Sequence, residues 1–397
     1  MRYIYHIDVN SAFLAWTAVY RIRELNQTED LREIPSIIGG DEESRRGIVL
    51  AKSTPAKKYG IETAEPVAAA RRKCPGLVVV PSDFSVYKRY SKDFMDIIRS
   101  YATEVYQYSI DEAWAVFDDC EEIYGDMVEF AYKLKDEIKE RLGFTVNIGV
   151  SDQYKLAKIA GDFEKPDKVH TLFSYEVTEK LWPLPVNVLL YVGKSMTKSL
   201  KNLGIITVKD LYDADREVIS RNLGKFGISL WDNVHGEDIN PAGYHDGDQK
   251  GYGNSTTTAT DTEDWDTARD VLMRLSGQVG ERMRRDGVYA TCVSVSVRYP
   301  DFDHISRQMM ISNPTNSTTQ IYEYACELLG NIWDGHKPIR QLGVRVTKVT
   351  DEKYEQLGLF DNMEKSEKLE KMERADAAMD SLRSRLGKDV VKRGIQL

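Results

Sequence analysis

As far as Thr171, apolar positions alternate between the two-residue period of a strand and the longer period of a helix. Tyr3 to Ile7 reads as a short strand, and Asp8-Val9-Asn10-Ser11 passes directly into a helical pattern carrying Phe13, Trp16, Val19, Tyr20 and Leu25. Asn10 or Ser11 is suited to cap that helix. Ile48 to Ala51 is strand-like and Tyr87 to Tyr101 helical. Val105 to Ile110 and Ala113 to Phe117 then look like two strands turning at Asp111-Glu112, a hairpin with carboxylates at its tip. An amphipathic helix over Ile123 to Leu142, a strand over Thr145 to Val150 and a helix over Lys155 to Phe163 follow. Such alternation predicts one sheet layered with helices, an α+β arrangement.

Between Tyr175 and His235 the segments are short and helical, broken at Gly193, Gly204 and Gly224. Gly236 to Gly253 has no apolar period and contains Pro241 and several glycines, the composition of an exposed tether. Beyond it the pattern predicts a helix from Asp264 to Arg285, then strands over Tyr289 to Val297 and Ile305 to Ile311. A helix over Thr318 to Trp333 and a strand over Leu342 to Val349 close a second α+β domain near Thr350. Asp351 to Leu397 is a polar tail with one amphipathic helix through Leu369, Met372, Met379, Leu382 and Leu386.

A chain of 397 residues has room for roughly two to four domains with substantial cores. Its 29% charged residues are accompanied by 10% aromatics, which excludes disorder of the whole chain. His6, Asp8 and Asn10 interrupt any secretory pattern at the N-terminus, and apolar runs such as Leu77 to Val80 are too short to span a bilayer. A monomeric cytoplasmic protein, not embedded in a membrane, is therefore expected. Cys74, Cys120, Cys292 and Cys326 are scattered without a C-x-x-C pair, which argues against structural zinc and a disulfide framework. The net charge of −9 argues against a surface coated in nucleic acid but leaves room for a basic groove on an acidic body.

Asp8 at the end of the first strand, with Asp111 and Glu112 on the hairpin, would meet at one end of the sheet if those strands are neighbours. Such a cluster needs cations. Hard oxygen ligands suit Mg²⁺, and two ions about 4 Å apart can hold both oxygens of an in-line phosphoryl displacement. Each part alone has a plain reading as a solvated acid at a strand end or turn. Around it lie a helix start beside Asp8, whose free amides suit a phosphate, and the candidate phosphate contacts Thr54, Lys57, Lys58 and Lys165.

These residues carry a resemblance to the Y-family translesion DNA polymerases in their bacterial branch. Asp8-Val9-Asn10-Ser11-Ala12-Phe13 resembles the family's first metal motif, and Tyr108-Ser109-Ile110-Asp111-Glu112-Ala113 resembles its most diagnostic one. The resemblance implies a right-hand α+β polymerase. Palm and fingers would run to about Thr171, with the fingers over about residues 20–75, and a helical thumb to His235. A tether over 236–253, a little finger over 254–350 and a tail over 351–397 would complete it. It implies a DNA-directed polymerase of low fidelity, without proofreading, acting on primer-template DNA and deoxynucleoside triphosphates with two Mg²⁺ per active site. Asp8, Asp111 and Glu112 would be the metal ligands, with the backbone carbonyl of Val9. Asn10, Ser11, Ala12 and Phe13 would face the nucleotide, Phe13 as the steric gate, and Thr54, Lys57 and Lys165 would meet its triphosphate.

Three features depart from the family pattern: Thr54 stands for a commoner Tyr, Lys57 for a commoner Arg, and Ala12 for an aromatic. Tyr191-Val192-Gly193-Lys194-Ser195-Met196 resembles the family's helix-hairpin-helix loosely; an ordinary helix connection is the alternative. Gln356-Leu357-Gly358-Leu359-Phe360 resembles the short peptide that binds the sliding clamp, so Gln356, Leu357, Leu359 and Phe360 are expected partner contacts. Two further readings stay open on sequence: another palm-type two-metal nucleotide enzyme, and an inactive clamp- or DNA-binding homologue.

Overall fold

The computed structural model describes residues 2–40, 47–239, 249–352, 363–387 and 390, with side chains of the last helix described from residue 371 onward. The expected clamp peptide, Gln356 to Phe360, lies outside the described residues. The chain divides into two compact units, Met1–Asp246 and Gly247–Leu397.

In the first unit β1 (Arg2–Val9) leads into α1 (Ala12–Arg23), followed by β2 (Ser36–Gly39), β3 (Val49–Lys52), α2 (Thr54–Lys57), α3 (Val67–Lys73) and β4 (Val78–Val80). Next come α4 (Phe84–Arg99), β5 (Glu104–Gln107), β6 (Glu112–Asp118), α5 (Glu121–Tyr124), α6 (Met127–Leu142), β7 (Val146–Ser151), α7 (Tyr154–Gly161) and β8 (Val169–Thr171). The helical part ends with α8 (Lys194–Asn202), α9 (Val208–Asp213) and α10 (Arg216–Val234).

The main sheet has the order β5-β6-β1-β7-β8, and a smaller sheet the order β3-β2-β4. β1 is central because its middle residues, Ile4 to Ile7, are all buried, as a strand covered on both faces requires. One core packs the main sheet against α1, α4 and α6. A second lies beneath the small sheet, and a third joins Leu156, Ile159 and Ala160 of α7 to the helical module.

The second unit contains β9 (Gly251–Thr262), α11 (Trp265–Arg285), β10 (Tyr289–Arg298), β11 (His304–Thr315), α12 (Thr318–Gly330), β12 (Ile339–Thr350) and α13 (Met363–Leu386). Its sheet has the order β11-β10-β12-β9. Val293, Val295 and Val297 of β10 turn inward against α11 and α12, and the intervening Ser294 and Ser296 face a polar groove of about 810 Å³.

Several expectations shift. The hairpin does not turn at Asp111-Glu112: the amides of Tyr108 and Ser109 both donate to the Glu112 carbonyl, so the turn is Tyr108 to Asp111 and Glu112 opens β6. Neither Asn10 nor Ser11 caps α1 by its side chain, since Ser11 is left-handed (φ 50°) and the helix begins at Ala12. The helix expected over Ile123 to Leu142 is two, because Gly125 (φ 76°) stops the first and the Asp126 carboxylate caps the second. The tether expected to reach Gly253 is already strand from Gly251. That strand escaped notice because Gly, Asn, Ser and Thr on an edge with one open face leave no apolar alternation.

Candidate active site

β1 and β6 pair antiparallel with Asp8 directly opposite Glu112. The Val9 amide donates to the Asp111 carbonyl at 3.0 Å, which ties the third acidic residue to the same sheet end. On the other side Asp8 faces Asn147 of β7. Asp8, Val9, Asp111 and Glu112 are thus neighbours through backbone pairing alone.

Two lysines answer the carboxylates. Lys158 of α7 pairs with Glu112, and Lys165 in the following loop pairs with Asp8 and, at 2.8 Å, with Asp162. His6, whose side chain is 3% exposed, lies 3.4 Å from Glu112 and 3.3 Å from the Lys158 ammonium. Lys158 also stands over the Tyr108 ring at 4.9 Å. Asp111 accepts from the Ser109 hydroxyl at 2.6 Å.

The two facing acids are pushed in opposite directions. Burial raises Asp8 to about 6, with the Lys165 ammonium opposing the rise. Burial also works against ionised Glu112, but hydrogen bonds from His6 and Lys158 outweigh it and hold the carboxyl down at about 2.

The donor set consists of carboxylate and carbonyl oxygens without sulfur, the chemistry that Mg²⁺ prefers. Among the described residues no three His, Cys, Asp or Glu side chains are gathered closely enough to enclose an ion by themselves. A hard cation held there would complete its shell with waters and phosphate oxygens.

Asn10 does not act as a cap. Its side-chain nitrogen donates to Asn147 at 3.0 Å, and its side-chain oxygen Oδ1 accepts from the Thr145 hydroxyl and from the Asp167 amide, both at 2.9 Å. Ser11, Ala12 and Phe13 open α1, where amides have no intrahelical acceptor. Phe13 is half-buried and stacks on Tyr87 at 4.7 Å, with Phe84 at 5.7 Å. Thr54, Lys57 and Lys58 are exposed on or beside α2, which the Ser53 side chain caps at Ala56. Lys165 is therefore joined to the carboxylates by direct contact, whereas Thr54 and Lys57 are held on the small sheet's side of the unit.

Sequence reasoning missed His6, Lys158, Ser109 and Asn147. Lys158 and His6 had a readable signal, each being a lone polar residue inside an apolar run, Leu156 to Ala160 and Tyr3 to Ile7. Asn147, fully buried, binds the Gly161 and Glu164 carbonyls at 3.0 and 2.6 Å and so fixes the loop that carries Lys165.

Burial pulls the His6 pKa down to about 4 from its usual 6.5. Between those values the unfolded chain binds more protons than the folded one, so this contribution to stability is full above the unfolded pKa and is lost as pH falls toward the folded one. His6→Phe should therefore flatten the decline in the urea midpoint of the first unit between about pH 6.5 and 4, measured in EDTA. A variant with the wild-type slope would contradict the assignment.

Comparison with known proteins follows the same lines. Residues 7–162 match the model of the impB/mucB/samB family, and residues 249–359 match that family's C-terminal domain. The DNA polymerase IV of Clostridium acetobutylicum is 39% identical over 99% of this chain and 98% of its own length. That of Acetivibrio thermocellus is 36% identical over 100% and 98%. Among solved structures, the Y-family DNA polymerase chimera Dbh-Dpo4(243-245)-Dbh covers 89% of this chain and 100% of its own, with a TM-score of 0.73 at 22% identity, a likeness of fold. DinB from Sulfolobus solfataricus gives 0.52 over 87% and 98%. With matches to both family models and full-length identity at this level, the chain belongs to the impB/mucB/samB family and is a Y-family translesion DNA polymerase, a DNA-directed DNA polymerase.

Proposed function

We propose that Asp8, Asp111, Glu112 and the Val9 carbonyl hold two Mg²⁺ ions for template-directed nucleotidyl transfer of low fidelity, without proofreading. The reading rests on the register that sets Asp8 opposite Glu112, with Asp111 bonded to Val9. When bound, the ions supply charge for the attacking and leaving oxygens. The primer 3′-hydroxyl attacks the α-phosphate of a paired deoxynucleoside triphosphate; the new ester bond forms as the bond to pyrophosphate breaks, and the hydroxyl proton passes to solvent.

The chain's own residues hold the nucleotide. The amides from Ser11 to Phe13 face its phosphates, as helix starts favour anions. Lys165, Thr54 and Lys57 supply further contacts, with Lys57 as a point charge in place of a bidentate Arg. Asn10 keeps the β1–α1 turn fastened to Asn147 and Asp167. Phe13, backed by Tyr87, sets its ring against the sugar and excludes a 2′-hydroxyl. The enzyme works as a monomer in the cytoplasm, and Gln356, Leu357, Leu359 and Phe360 join it to the sliding clamp. Apolar anchors of this kind are worth about 1 to 4 kcal/mol each when desolvated. No described helix is long and apolar enough to cross a membrane.

Three measurements test these assignments. Asp111→Ala should reduce primer extension at least about a hundredfold while leaving DNA affinity within about twofold; extension near the wild-type rate would refute the metal site. Phe13→Ala should raise ribonucleotide incorporation without a comparable loss of deoxynucleotide use, and unchanged sugar selectivity would remove the gate. Replacing Leu359 and Phe360 together by Ala should abolish clamp binding and clamp stimulation while unassisted extension persists. A lower melting temperature with loss of unassisted activity would instead assign those side chains to the folded core.

A further inference from the structure

The hairpin joining β10 to β11 contains a backbone conformation that its residue does not favour. Arg298 pairs with His304, the Tyr299 amide donates to the Asp303 carbonyl at 2.9 Å, and the Phe302 amide donates back to the Tyr299 carbonyl at 3.0 Å. The loop is thus Pro300-Asp301-Phe302, with Phe302 left-handed at φ 69°. This is the three-residue hairpin whose last position ordinarily takes glycine, and Pro-Asp-Gly would fill it without strain. A bulky residue with positive φ is an outlier, and such strained positions cluster where a side chain contacts a ligand.

The side chain is not part of the unit's apolar core. Phe302 is 65% exposed. Its described neighbour is a cation: the Arg340 guanidinium lies 5.1 Å from the ring centre. At the hairpin base Lys337 stands 4.2 Å over Tyr299 and pairs with Asp301 at 2.7 Å, bracing the loop. Arg298, in register with His304 and Gln341, lies on the same side of β10 as the groove-lining Ser294 and Ser296, immediately before the hairpin. The hairpin thus carries an exposed aromatic ring backed by a guanidinium, with Arg298 at its base and the flanking carboxylates of Asp301 and Asp303 both answered by Lys337.

An exposed aromatic face with cations beside it is the pairing that holds an unstacked base in single-stranded nucleic acid: charge follows the backbone, and the ring takes the base face without reading sequence. A base inside a duplex already has stacking partners on both faces and gains nothing from it. We propose that Phe302 is a stacking platform for an unpaired DNA base, with Arg340 behind the ring and Arg298 near the adjoining phosphate. The backbone strain at Phe302 is retained for that contact. This inference rests on the DNA polymerase reading and adds to it a separate contact for single-stranded DNA.

The experiment uses the full chain and fluorescence anisotropy with two labelled probes, an oligothymidylate of about twenty nucleotides and a blunt duplex of about the same length. Phe302→Gly should weaken oligothymidylate binding by roughly tenfold while duplex binding stays within about twofold. Because glycine suits the left-handed position, the same variant should melt at an equal or slightly higher temperature, which separates lost stacking from lost folding. Phe302→Trp should keep or strengthen single-strand binding. Unchanged oligothymidylate affinity in Phe302→Gly, or equal losses on both probes, would overturn the platform alone. Failure of the wild type to bind either probe would overturn it together with the functional reading beneath it.

Discussion

The rest of the first unit depends on keeping carboxylates together at the end of a largely buried sheet. β1 and β6 fix Asp8 and Glu112 face to face, and their repulsion in a partly desolvated setting must be met by positive charge. That charge comes from α7 and the loop after it, through Lys158 and Lys165. α7 can deliver it only by lying against β7 closer than any side chain would allow. A methyl group on Gly149 would stand 1.9 Å from the Ala157 carbonyl oxygen. The approach of Lys158 to Glu112 is thus governed by a glycine on a neighbouring strand.

α7 also belongs to two cores at once, which gives the helical module a fixed attachment to the sheet. Ala157 packs with Ile4 and Trp114, while Leu156, Ile159 and Ala160 join the core of the module. Its N-terminal amides at Tyr154 and Lys155 are capped by Asp238, at 2.7 and 3.1 Å, from the end of the module. Lys155 is buried, and its ammonium meets the Asn233 and Glu237 carbonyls; that burial pulls its pKa down to about 8. Chain that leaves the module is therefore returned to the helix that answers Glu112. A change in α7 would be felt in both places.

What could be read from the sequence was set by whether an interaction is local. The strand ending at Asp8, the helix carrying Phe13 and the valine alternation of β10 are one-element patterns, and their periods appear directly. The hairpin was legible as a hairpin, but its turn was misplaced because Ser109 engages Asp111 locally and Glu112 accepts two amides, details that periodicity does not carry. β2, β4 and β8 are only 4, 3 and 3 residues long, too short for a period to emerge. The lysine countercharges were less accessible still. Lys158 and Glu112 are 46 positions apart, and only the packing of α7 on the sheet makes them partners.

The second unit meets the opposite requirement, and its charges are arranged accordingly. The arginines of α11 are committed in different directions: Arg282 donates to the Gly253 carbonyl of β9 at 2.8 Å. Arg284 is drawn inward, where it pairs with Asp376 at 3.4 Å and Asp380 at 2.6 Å of α13. Asp376, 1% exposed, also accepts from the Thr318 amide at 3.0 Å, a capping bond that Ser317, the residue before α12, does not supply through its side chain. The tail helix is thus held by ionic and capping contacts; Leu382 and Leu386, expected on its apolar face, are 41% and 62% exposed. With Arg284 committed there, the open side of the sheet is left to serines, glycines and a few cations such as Arg345. Small side chains let a backbone approach closely and carry little sequence preference. That open side has few fixed charges to satisfy, whereas Asp8 and Glu112 of the first unit each have a lysine countercharge in place.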